Sequence, residues 1–406
     1  MSQKHDPYAA MRSREFRFFI WAKLLLTVAL QMQAVIVSWF IYDKTKDTLA
    51  LGMIGLTEAV PALLLALPGG IIADRYNRRK ILIASTIIML AASVFLAFYA
   101  YGLGSVQLWP AYAVIFIVGA ARGFYNPSQG PFWSQLVNRE SYVNASVWNS
   151  SMWQTGAVSG PALGGICYAW LGAPISSIIV CILIVVTLTY YILIGNKPVF
   201  ISNRAEPVMQ SLLAGIKYVW NSKTLFSAIA LDMFAVLFGG AVALLPAFAD
   251  QVLHVGPEGL GFLRAAPALG AVLMAFWLAF NPPRHNAGIK MLWCVAGFGL
   301  CMICFALSEN FYLSFLILLL SGMFDNVSVV IRSTILQTQT PDAMRGRVAA
   351  VNSIFVGSSN ELGAFESGLA ARLMGLVTSV IFGGCVTLGV TLAAFKLSPA
   401  LRKLNL

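Results

Sequence analysis

The chain has 406 residues, of which 59% are hydrophobic and only 11% are charged, and its formal net charge is +11. Soluble domains carry roughly 25% charged residues, so this composition excludes a soluble globular domain and predicts a protein that crosses a membrane many times. The net charge alone would also fit nucleic-acid binding, but the positions of the basic residues account for it without a nucleic acid.

Apolar stretches long enough to cross a bilayer recur along the whole chain. A transmembrane helix needs about 20 apolar residues to cross about 30 Å of hydrocarbon. This rule predicts twelve spans, near residues 16–42, 51–72, 81–101, 107–127, 143–170, 174–195, 224–248, 259–280, 288–307, 311–334, 348–371 and 375–396. The first stretch is too long for the apolar region of a signal peptide, so we expect it to be a span.

The longest polar interruption, at residues 196–223, divides the predicted spans into two groups of six. It contains PVMQSLLAGIKYVW, a pattern that predicts an amphipathic surface helix. The sequence therefore predicts a six-helix bundle at 1–195, a cytoplasmic linker at 196–223 and a second six-helix bundle at 224–406. The fold class is all-α, with two pseudo-symmetric bundles in the membrane.

The two groups of spans resemble each other weakly. The matched pairs include Asn149 with Asn352, Gly160 with Gly363, Gly172 with Gly375 and Pro61 with Pro267. Internal symmetry between six-span halves is typical of repeat-built transporters, whose substrate site lies on the axis between the halves. The repeat therefore predicts a transporter.

Basic residues are concentrated on one side of the predicted membrane. Of the 27 Lys and Arg residues, only Lys44, Lys46 and Arg372 fall in loops on the side opposite the N-terminus. The positive-inside rule then places both termini in the cytoplasm. We expect a multi-pass protein of the bacterial inner membrane.

The loop after the second span, GGIIADRYNRRK, packs an acid among several basic residues. It resembles the loop motif of the major facilitator superfamily, with Asn77 where that family has Gly. The matching functional positions are Gly70, Asp74, Arg75, Arg78 and Arg79. The resemblance implies that Asp74 and the Arg residues pair with one another and with the end of the eleventh span, as a cytoplasmic latch. The alternative is that the Arg and Lys residues only fix the topology.

The fifth span carries GAVSGPALGG, which is similar to a Gly-Pro pattern of proton-antiporting exporters in the superfamily. The matching residues are Gly156, Gly160, Pro161, Gly164 and Gly165. Small residues four apart let two helices approach closely, and a Pro offers a bend for a rocking helix. The alternative interpretation is ordinary close packing. Segments around spans seven, eight and eleven resemble the branch that holds the enterobactin exporter and macrolide efflux proteins.

Ionisable residues inside the spans are functional candidates, because a charge at the bilayer centre costs at least about 2.5 kcal/mol. The candidates for proton coupling or for the substrate cavity are Asp232, Glu58, Arg264, Arg122, Asp325, Glu361 and Glu366. The repeat aligns Glu58 with Arg264 and Arg122 with Asp325. These pairs are predicted to face each other or the cavity, or to be ion pairs that only orient helices.

Among these residues, Asp232 is the candidate proton carrier, because a buried acid can load a proton on one side and release it on the other. Glu361 and Glu366 point about 140° apart on one helix, so only one is expected to line the cavity. Lys23 and Arg332 lie close enough to span ends to extend their charges toward the interface.

The sequence thus predicts a secondary transporter that exports amphipathic small molecules, siderophore-like or drug-like, by proton antiport and alternating access. Its partners are the substrate and the bilayer, without nucleic acid, and we expect a monomer. No phosphate-binding loop or HExxH motif is present, so we expect no enzyme, cofactor or metal, and a proton gradient as the energy source. The alternatives are a lipid or lysolipid flipping protein and an importer driven by the solute gradient.

Overall fold

A computed structural model describes residues 8–101, 108–198, 208–281, 283, 285–402 and 404. Residues 199–207 of the predicted linker lie outside the described residues. Within these ranges the chain forms helices and no strand. A helix pairs all of its backbone polar groups internally, which hydrocarbon requires of any segment that it surrounds.

The described chain forms two compact units. Unit 1 comprises Met1–Phe40 and Val60–Asn203, and unit 2 comprises Ile41–Ala59 and Arg204–Leu406. The first helices are α1 (Arg14–Thr45), α2 (Thr48–Arg75), α3 (Arg78–Tyr101), α4 (Trp109–Phe132) and α5 (Tyr142–Leu193). The adjoining ends of α1 and α2 therefore pack as part of unit 2.

The remaining helices belong to unit 2. They are α6 (Val208–Asn221), α7 (Lys223–Gly239), α8 (Leu245–Gln251), α9 (Pro257–Phe280), α10 (Ala287–Ala306), α11 (Phe311–Thr338), α12 (Asp342–Met374), α13 (Leu376–Leu397) and α14 (Pro399–Arg402). Short 3-10 turns occupy Ala10–Arg12, Trp133–Gln135, Arg139–Ser141 and Val242–Leu244.

Nine helical segments in the described ranges are long and apolar enough to cross a membrane. These nine segments account for ten of the twelve predicted spans. The segment that contains α5 holds both the fifth and the sixth, separated by a kink at Gly172. The fourth and eleventh predicted spans coincide with α4 and α12, whose polar residues lower their hydropathy. The all-α membrane class is confirmed.

The seventh predicted span lies in a segment that is apolar enough to cross a membrane, Lys223–Gln251, but that segment is not one continuous helix. Helix α7 ends at Gly239, and Gly240 is extended with φ −82° and ψ 102°. Two adjacent glycines favour this break because Gly is a poor helix former. The hydroxyl of Ser367 donates to the carbonyl of Gly240 at 2.9 Å, so that the freed backbone group is satisfied inside the membrane.

The structure gives the internal repeat a physical counterpart. Gly172 and Gly375 are the glycines with positive φ in the described chain, at 72° and 92°. Gly172 joins the fifth and sixth predicted spans, and Gly375 joins the eleventh and twelfth. Both have a left-handed backbone conformation in which a side chain would be strained. The sequence alignment had matched these two residues.

A second matched pair makes equivalent helix contacts. A Cβ at Gly160 would lie 2.6 Å from the Cβ of Gln31 on α1. A Cβ at Gly363 would lie 2.8 Å from the carbonyl oxygen of Leu237 on α7. In each unit, a glycine of the fifth or eleventh predicted span thus lets that helix approach the first helix of its own half.

Helix α6 fills the predicted position of the amphipathic helix and packs on α12 in unit 2. Val219 is buried in a cluster with Val348 and Val351. A second side of α6 carries exposed apolar residues at helical spacing: Met209, Leu213, Ile216 and Trp220. Helix α6 therefore has one apolar face inside unit 2 and another that the protein leaves uncovered.

Candidate transport site

The charged loop motif of unit 1 forms a local ion pair. Arg78 donates through Nη2 to Asp74 Oδ1 at 3.2 Å, one helical turn away, and through Nε to the carbonyl of Ala73. Arg75 is exposed at the last residue of α2, and Gly70 has open space around its missing side chain. The proposed partner at the end of the eleventh span stays a prediction.

Arg79 has a role that the sequence analysis missed. Its guanidinium donates to the carbonyls of Tyr191 and Ile192, at 3.1 and 2.6 Å, and to the side chain of Asn196 at 2.8 Å. These carbonyls belong to the last turn of α5, where a helix has unpaired acceptors and a partial negative charge. Arg79 therefore anchors the loop to the end of α5, and no local pattern near Arg79 indicates that contact.

The Gly-Pro motif packs α5 closely on α1. Added Cβ atoms at Gly156 and Gly164 would lie 2.8 and 2.9 Å from Thr27 and Met32, which follow the same face of α1 as Gln31 beside Gly160. Pro161 and Gly165 are buried. The geometry is that of small-residue helix packing, and its role in export stays a prediction.

Two buried charges in unit 2 form an ion pair. Asp232 of α7 and Arg332 of α11 are 4% and 5% exposed, and the guanidinium of Arg332 contacts the carboxylate of Asp232. The expectation that Arg332 extends toward the membrane surface is wrong: its guanidinium is buried, and the carboxylate of Asp232 compensates its charge there. The candidate proton carrier thus has a permanent cationic neighbour.

Helix α11 carries a polar stripe next to this pair. Asp325, Ser328 and Arg332 are spaced three and four residues apart and so lie on one face of the helix. Ser328 is buried and its hydroxyl has no hydrogen-bond partner in the described chain. The carboxylate of Asp325 is half-buried and makes neither a hydrogen bond nor an ion pair with a described residue of unit 2.

Unsatisfied polar groups in an apolar interior are costly unless water or a ligand pairs with them. Besides Ser328, the side-chain oxygens of Asn326 and Asn352 are buried without a partner among the described residues. We define the α11 polar stripe as Asp325, Ser328 and Arg332 together with Asp232 of α7. This stripe is the candidate site in unit 2, because it offers carboxylate, hydroxyl and guanidinium groups to a polar solute or a proton.

Asn149 of unit 1, which the repeat matches with Asn352, has a hydrogen-bond partner. Lys23 donates from Nζ to Oδ1 of Asn149 at 2.7 Å and is only 9% exposed. Lys23 therefore does not extend to the span end as expected; the nearby amide oxygen satisfies its ammonium group inside unit 1. The two halves have asparagines at matched positions, but Asn149 accepts a hydrogen bond from Lys23 whereas the side-chain oxygen of Asn352 has no partner among the described residues.

The other predicted site residues are half-buried. Glu361 lies beside Gly55 of α2, since a Cβ at Gly55 would be 3.4 Å from its carboxylate oxygen. Glu58, Arg264 and Glu366 occupy unit 2 and Arg122 occupies unit 1. The pairings of Glu58 with Arg264 and of Arg122 with Asp325 stay predictions.

Within unit 2, the adjoining ends of α1 and α2 are tied to α8 and α12. Lys46 donates to Asp250 at 3.0 Å and to Asp43 at 3.3 Å, and Arg372 lies 3.5 Å from Asp47. We call these residues the α1–α2 clasp. Their sequence positions predict loops on the side opposite the N-terminus for Lys46 and Arg372 but indicate no partner for either residue.

The clasp is reinforced by neutral hydrogen bonds. Gln251 donates to the hydroxyl of the fully buried Tyr42 at 2.6 Å, and Thr48 donates to the carbonyl of Gly368. A Cβ at Gly368 would lie 2.7 Å from the Cα of Gly52, so the two backbones are in close contact there. Any conformation that separates these segments must break all of these contacts together.

The sequence matches a known protein family and known relatives over most of its length. Residues 5–405 match the family model described as transmembrane secretion effector. The enterobactin exporter EntS of Shigella boydii serotype 18 (strain CDC 3083-94 / BS512) is 28% identical over 387 residues, covering 93% of this chain and 90% of that protein. EntS of Escherichia coli O1:K1 / APEC is 27% identical over 385 residues with the same coverage.

Solved structures share the fold at low sequence identity. A bacterial homologue of the human lysosomal transporter Spinster, inward-facing and unoccupied, has a TM-score of 0.73 at 16% identity and covers 96% of each chain. A POT family transporter in complex with 5-aminolevulinic acid has a TM-score of 0.78 at 13% identity, covering 96% of this chain and 97% of the other. The fold is therefore that of membrane transporters.

Proposed function

We propose that this chain, which belongs to the transmembrane secretion effector family of the major facilitator superfamily, exports amphipathic, siderophore-like or drug-like small molecules from the cytoplasm. Under this proposal the protein is a transporter and not an enzyme. Support comes from the relatives called enterobactin exporters, which match 93% of the chain. The observation that carries the proposal is the α11 polar stripe, which places unsatisfied polar groups in a helix long and apolar enough to span a membrane.

The proposed energy source is a proton gradient, used through alternating access and without a cofactor. Asp325 supports proton coupling, since its carboxyl group has no cationic partner among the described residues of unit 2 and can gain and lose a proton with little rearrangement. Asp232 stays a candidate, although Arg332 stabilises its charged form. We further propose a monomer in the bacterial inner membrane with both termini in the cytoplasm, as the basic loops favour.

An efflux assay tests the substrate class. A host lacking its own siderophore and drug exporters would express this chain and be scored for secretion of enterobactin and of a panel of amphipathic drugs. Restored secretion is expected for at least one of these compounds, and it should fall when an uncoupler collapses the proton gradient. Failure to secrete any of them, with the protein present in the membrane, would contradict the proposal.

Two further measurements separate the alternatives. Secretion that persists after the proton gradient collapses would favour a carrier driven by the solute gradient alone. Movement of a labelled phospholipid or lysolipid between leaflets of reconstituted vesicles, faster than in protein-free vesicles and without solute export, would favour a flipping protein.

Asp325 provides a specific test of proton coupling. We expect Asp325→Asn to abolish proton-driven export while substrate exchange between the two sides of a vesicle continues, because exchange does not require the net movement of a proton. Glu140→Gln, at an exposed loop acid, is the matched control and should transport normally. Proton-driven export by Asp325→Asn at the wild-type rate would remove Asp325 from the mechanism.

A further inference from the structure

Unit 2 contains a surface groove that the proposed transport mechanism does not use. Its volume is about 670 Å³, and its walls come from α7 on one side and from α13 and α14 on the other. Volumes of roughly 300–1,000 Å³ are typical of small-molecule sites. The groove lies at the end of unit 2 where α7 begins and the described chain ends.

The groove has an apolar wall on α7, and this wall is nearly as long as one leaflet of the bilayer is deep. Phe226, Ala230 and Phe234 recur every four residues on α7 and so form one side of the groove. Eight residues of helix rise about 12 Å. One leaflet of hydrocarbon is about 15 Å deep, half of the bilayer core, so the groove extends through most of one leaflet.

The mouth of the groove is basic. Lys223 is exposed at the first residue of α7 and is the charged residue among those that line the groove. Lys396 is exposed nearby on α13, and the guanidinium of Arg402 lies 5.1 Å from the ring centre of Phe395. Residues 376–406 contain no Asp or Glu, and the first nine residues of α7 contain none either.

Groups typical of a membrane interface complete the mouth. Trp220 is 70% exposed at the end of α6, and its ring packs edge-on against Phe226 with centroids 5.0 Å apart. Tryptophan is enriched at the level of the lipid headgroups. Ser227 and Ser398 share a hydrogen bond of 2.8 Å that joins the two walls. The uncovered apolar face of α6 ends at the same Trp220.

We propose that this groove binds one phospholipid with an anionic headgroup. One of its two acyl chains lies along α7, and its phosphate lies beside Lys223. Phe226 and Phe234 are each 40% exposed, so the groove presents an open apolar surface to a lipid, and the acid-free basic mouth selects a negative headgroup. The site does not depend on the transported substrate, and it holds whether or not the proposed export function is correct.

Lipid binding to the purified full-length protein tests this site. Native mass spectrometry from detergent would count retained phosphatidylglycerol and phosphatidylcholine with identical acyl chains. We expect the wild-type protein to keep one phosphatidylglycerol molecule at a collision energy that removes all other bound lipids. Lys223→Gln should weaken the binding of phosphatidylglycerol about fivefold, which is the effect of one basic group near an anionic lipid. The binding of phosphatidylcholine should not change. Lys290→Gln, at an exposed lysine outside the groove, should change neither.

Two variants test the apolar walls. Ala393→Phe, at an exposed residue that lines the groove, should fill it and lower retention of both lipids at least fivefold. Ala279→Phe, at an exposed residue of α9, is the matched control and should behave like wild type. If Ala393→Phe does not give a monodisperse protein, Ala230→Phe fills the groove from the opposite wall.

The outcomes separate a lipid from a free anion. Inorganic phosphate at millimolar concentration should not displace phosphatidylglycerol, because the acyl chain supplies most of the contact. Displacement by phosphate alone would mean that Lys223 marks an anion site and would overturn the lipid proposal. Equal lipid retention by Ala393→Phe, Ala230→Phe and Ala279→Phe would overturn it as well.

Discussion

At the scale of single residues, the contact between Asp232 and Arg332 changes how a mutant at Asp232 is interpreted. Removing one member of a buried pair leaves the other charge uncompensated, which costs about 3–5 kcal/mol, whereas replacing both by apolar groups is often neutral. Asp232→Asn alone would therefore lose both a titratable group and a counter-charge. Loss of transport in that variant does not by itself identify a proton carrier.

A double substitution resolves this ambiguity. We expect Arg332→Met alone to lower the apparent melting temperature in detergent strongly, and Asp232→Leu with Arg332→Met to restore it, because no buried charge remains. If Asp232 carries the proton, the stable double variant should nevertheless lose proton-driven export. A double variant no more stable than Arg332→Met alone would contradict the ion-pair argument, and proton-driven export by the stable double variant would exclude Asp232 as the carrier.

Helix packing in unit 1 depends on the glycine face of α5. At Gly160 even a methyl group would overlap Gln31, and the backbone of Val28 lies 3.0 Å away, so α1 and α5 must separate to admit a side chain. We expect Gly160→Ala to destabilise the protein by about 1–3 kcal/mol, the usual cost of overpacking. Thermal unfolding in detergent measures this loss.

Gly389→Ala is the control for that substitution. Gly389 lies inside α13 with open space where its Cβ would be, so the change should be neutral or slightly stabilising. Unchanged stability of Gly160→Ala would mean that the contact between α5 and α1 adjusts easily, and that the Gly-Pro motif has a role other than packing.

The loop between α2 and α3 combines two contacts with different partners. Arg79 binds the end of α5, and Arg78 pairs with Asp74. Asp74→Asn keeps every basic residue, so we expect the topology to stay unchanged while the transport rate falls. Lys80→Gln removes an exposed basic charge from the same loop and should transport normally. Reporter fusions at the loops and vesicle kinetics measure the two properties, and an unchanged rate would leave the loop with a topogenic role alone.

At the scale of the whole molecule, the α1–α2 clasp determines how firmly the segment Ile41–Ala59 is held in unit 2. We expect Lys46→Gln to speed hydrogen exchange in this segment, because it removes two ion pairs at once. Lys44→Gln makes the same charge change two residues earlier, at an exposed lysine. Equal exchange rates in the two variants would show that the neutral contacts of Tyr42 and Thr48 hold the segment without Lys46.

The clasp also has a defined pH dependence. The hydrogen bond that Lys46 donates to Asp250 raises the pKa of Lys46 above its ordinary value of 10.5, and the bond to Asp43 acts in the same direction. A pKa that is higher in the folded state means that the stabilisation is fully present below about pH 10.5 and is lost as the pH rises through the folded value.

We therefore expect the difference in melting temperature between wild type and Lys46→Gln to be constant from pH 6 to pH 9 and to vanish in strongly alkaline buffer. Lys44→Gln should show no such pH-dependent difference. A difference that changes between pH 6 and pH 9 would contradict this assignment. It follows that any pH dependence of transport near neutrality must come from groups other than Lys46.

The sequence by itself determined the fold class, the positions of most membrane-crossing segments and the family. These properties are local: a stretch of about 20 apolar residues must form a helix in hydrocarbon, and a short loop motif keeps its spacing whatever its surroundings. The matched glycines Gly172 and Gly375 were also visible in the sequence, because a left-handed backbone position limits the residue type directly.

Only the tertiary structure decided which buried groups meet. Asp232 and Arg332 lie on helices far apart in the sequence, and hydropathy does not encode how each helix is rotated about its axis. The break after Gly239, the clasp at Lys46 and the groove beside Lys223 depend in the same way on contacts between distant segments. In a membrane, apolar residues face lipid and protein alike, so the apolar pattern locates each helix but does not identify its neighbours.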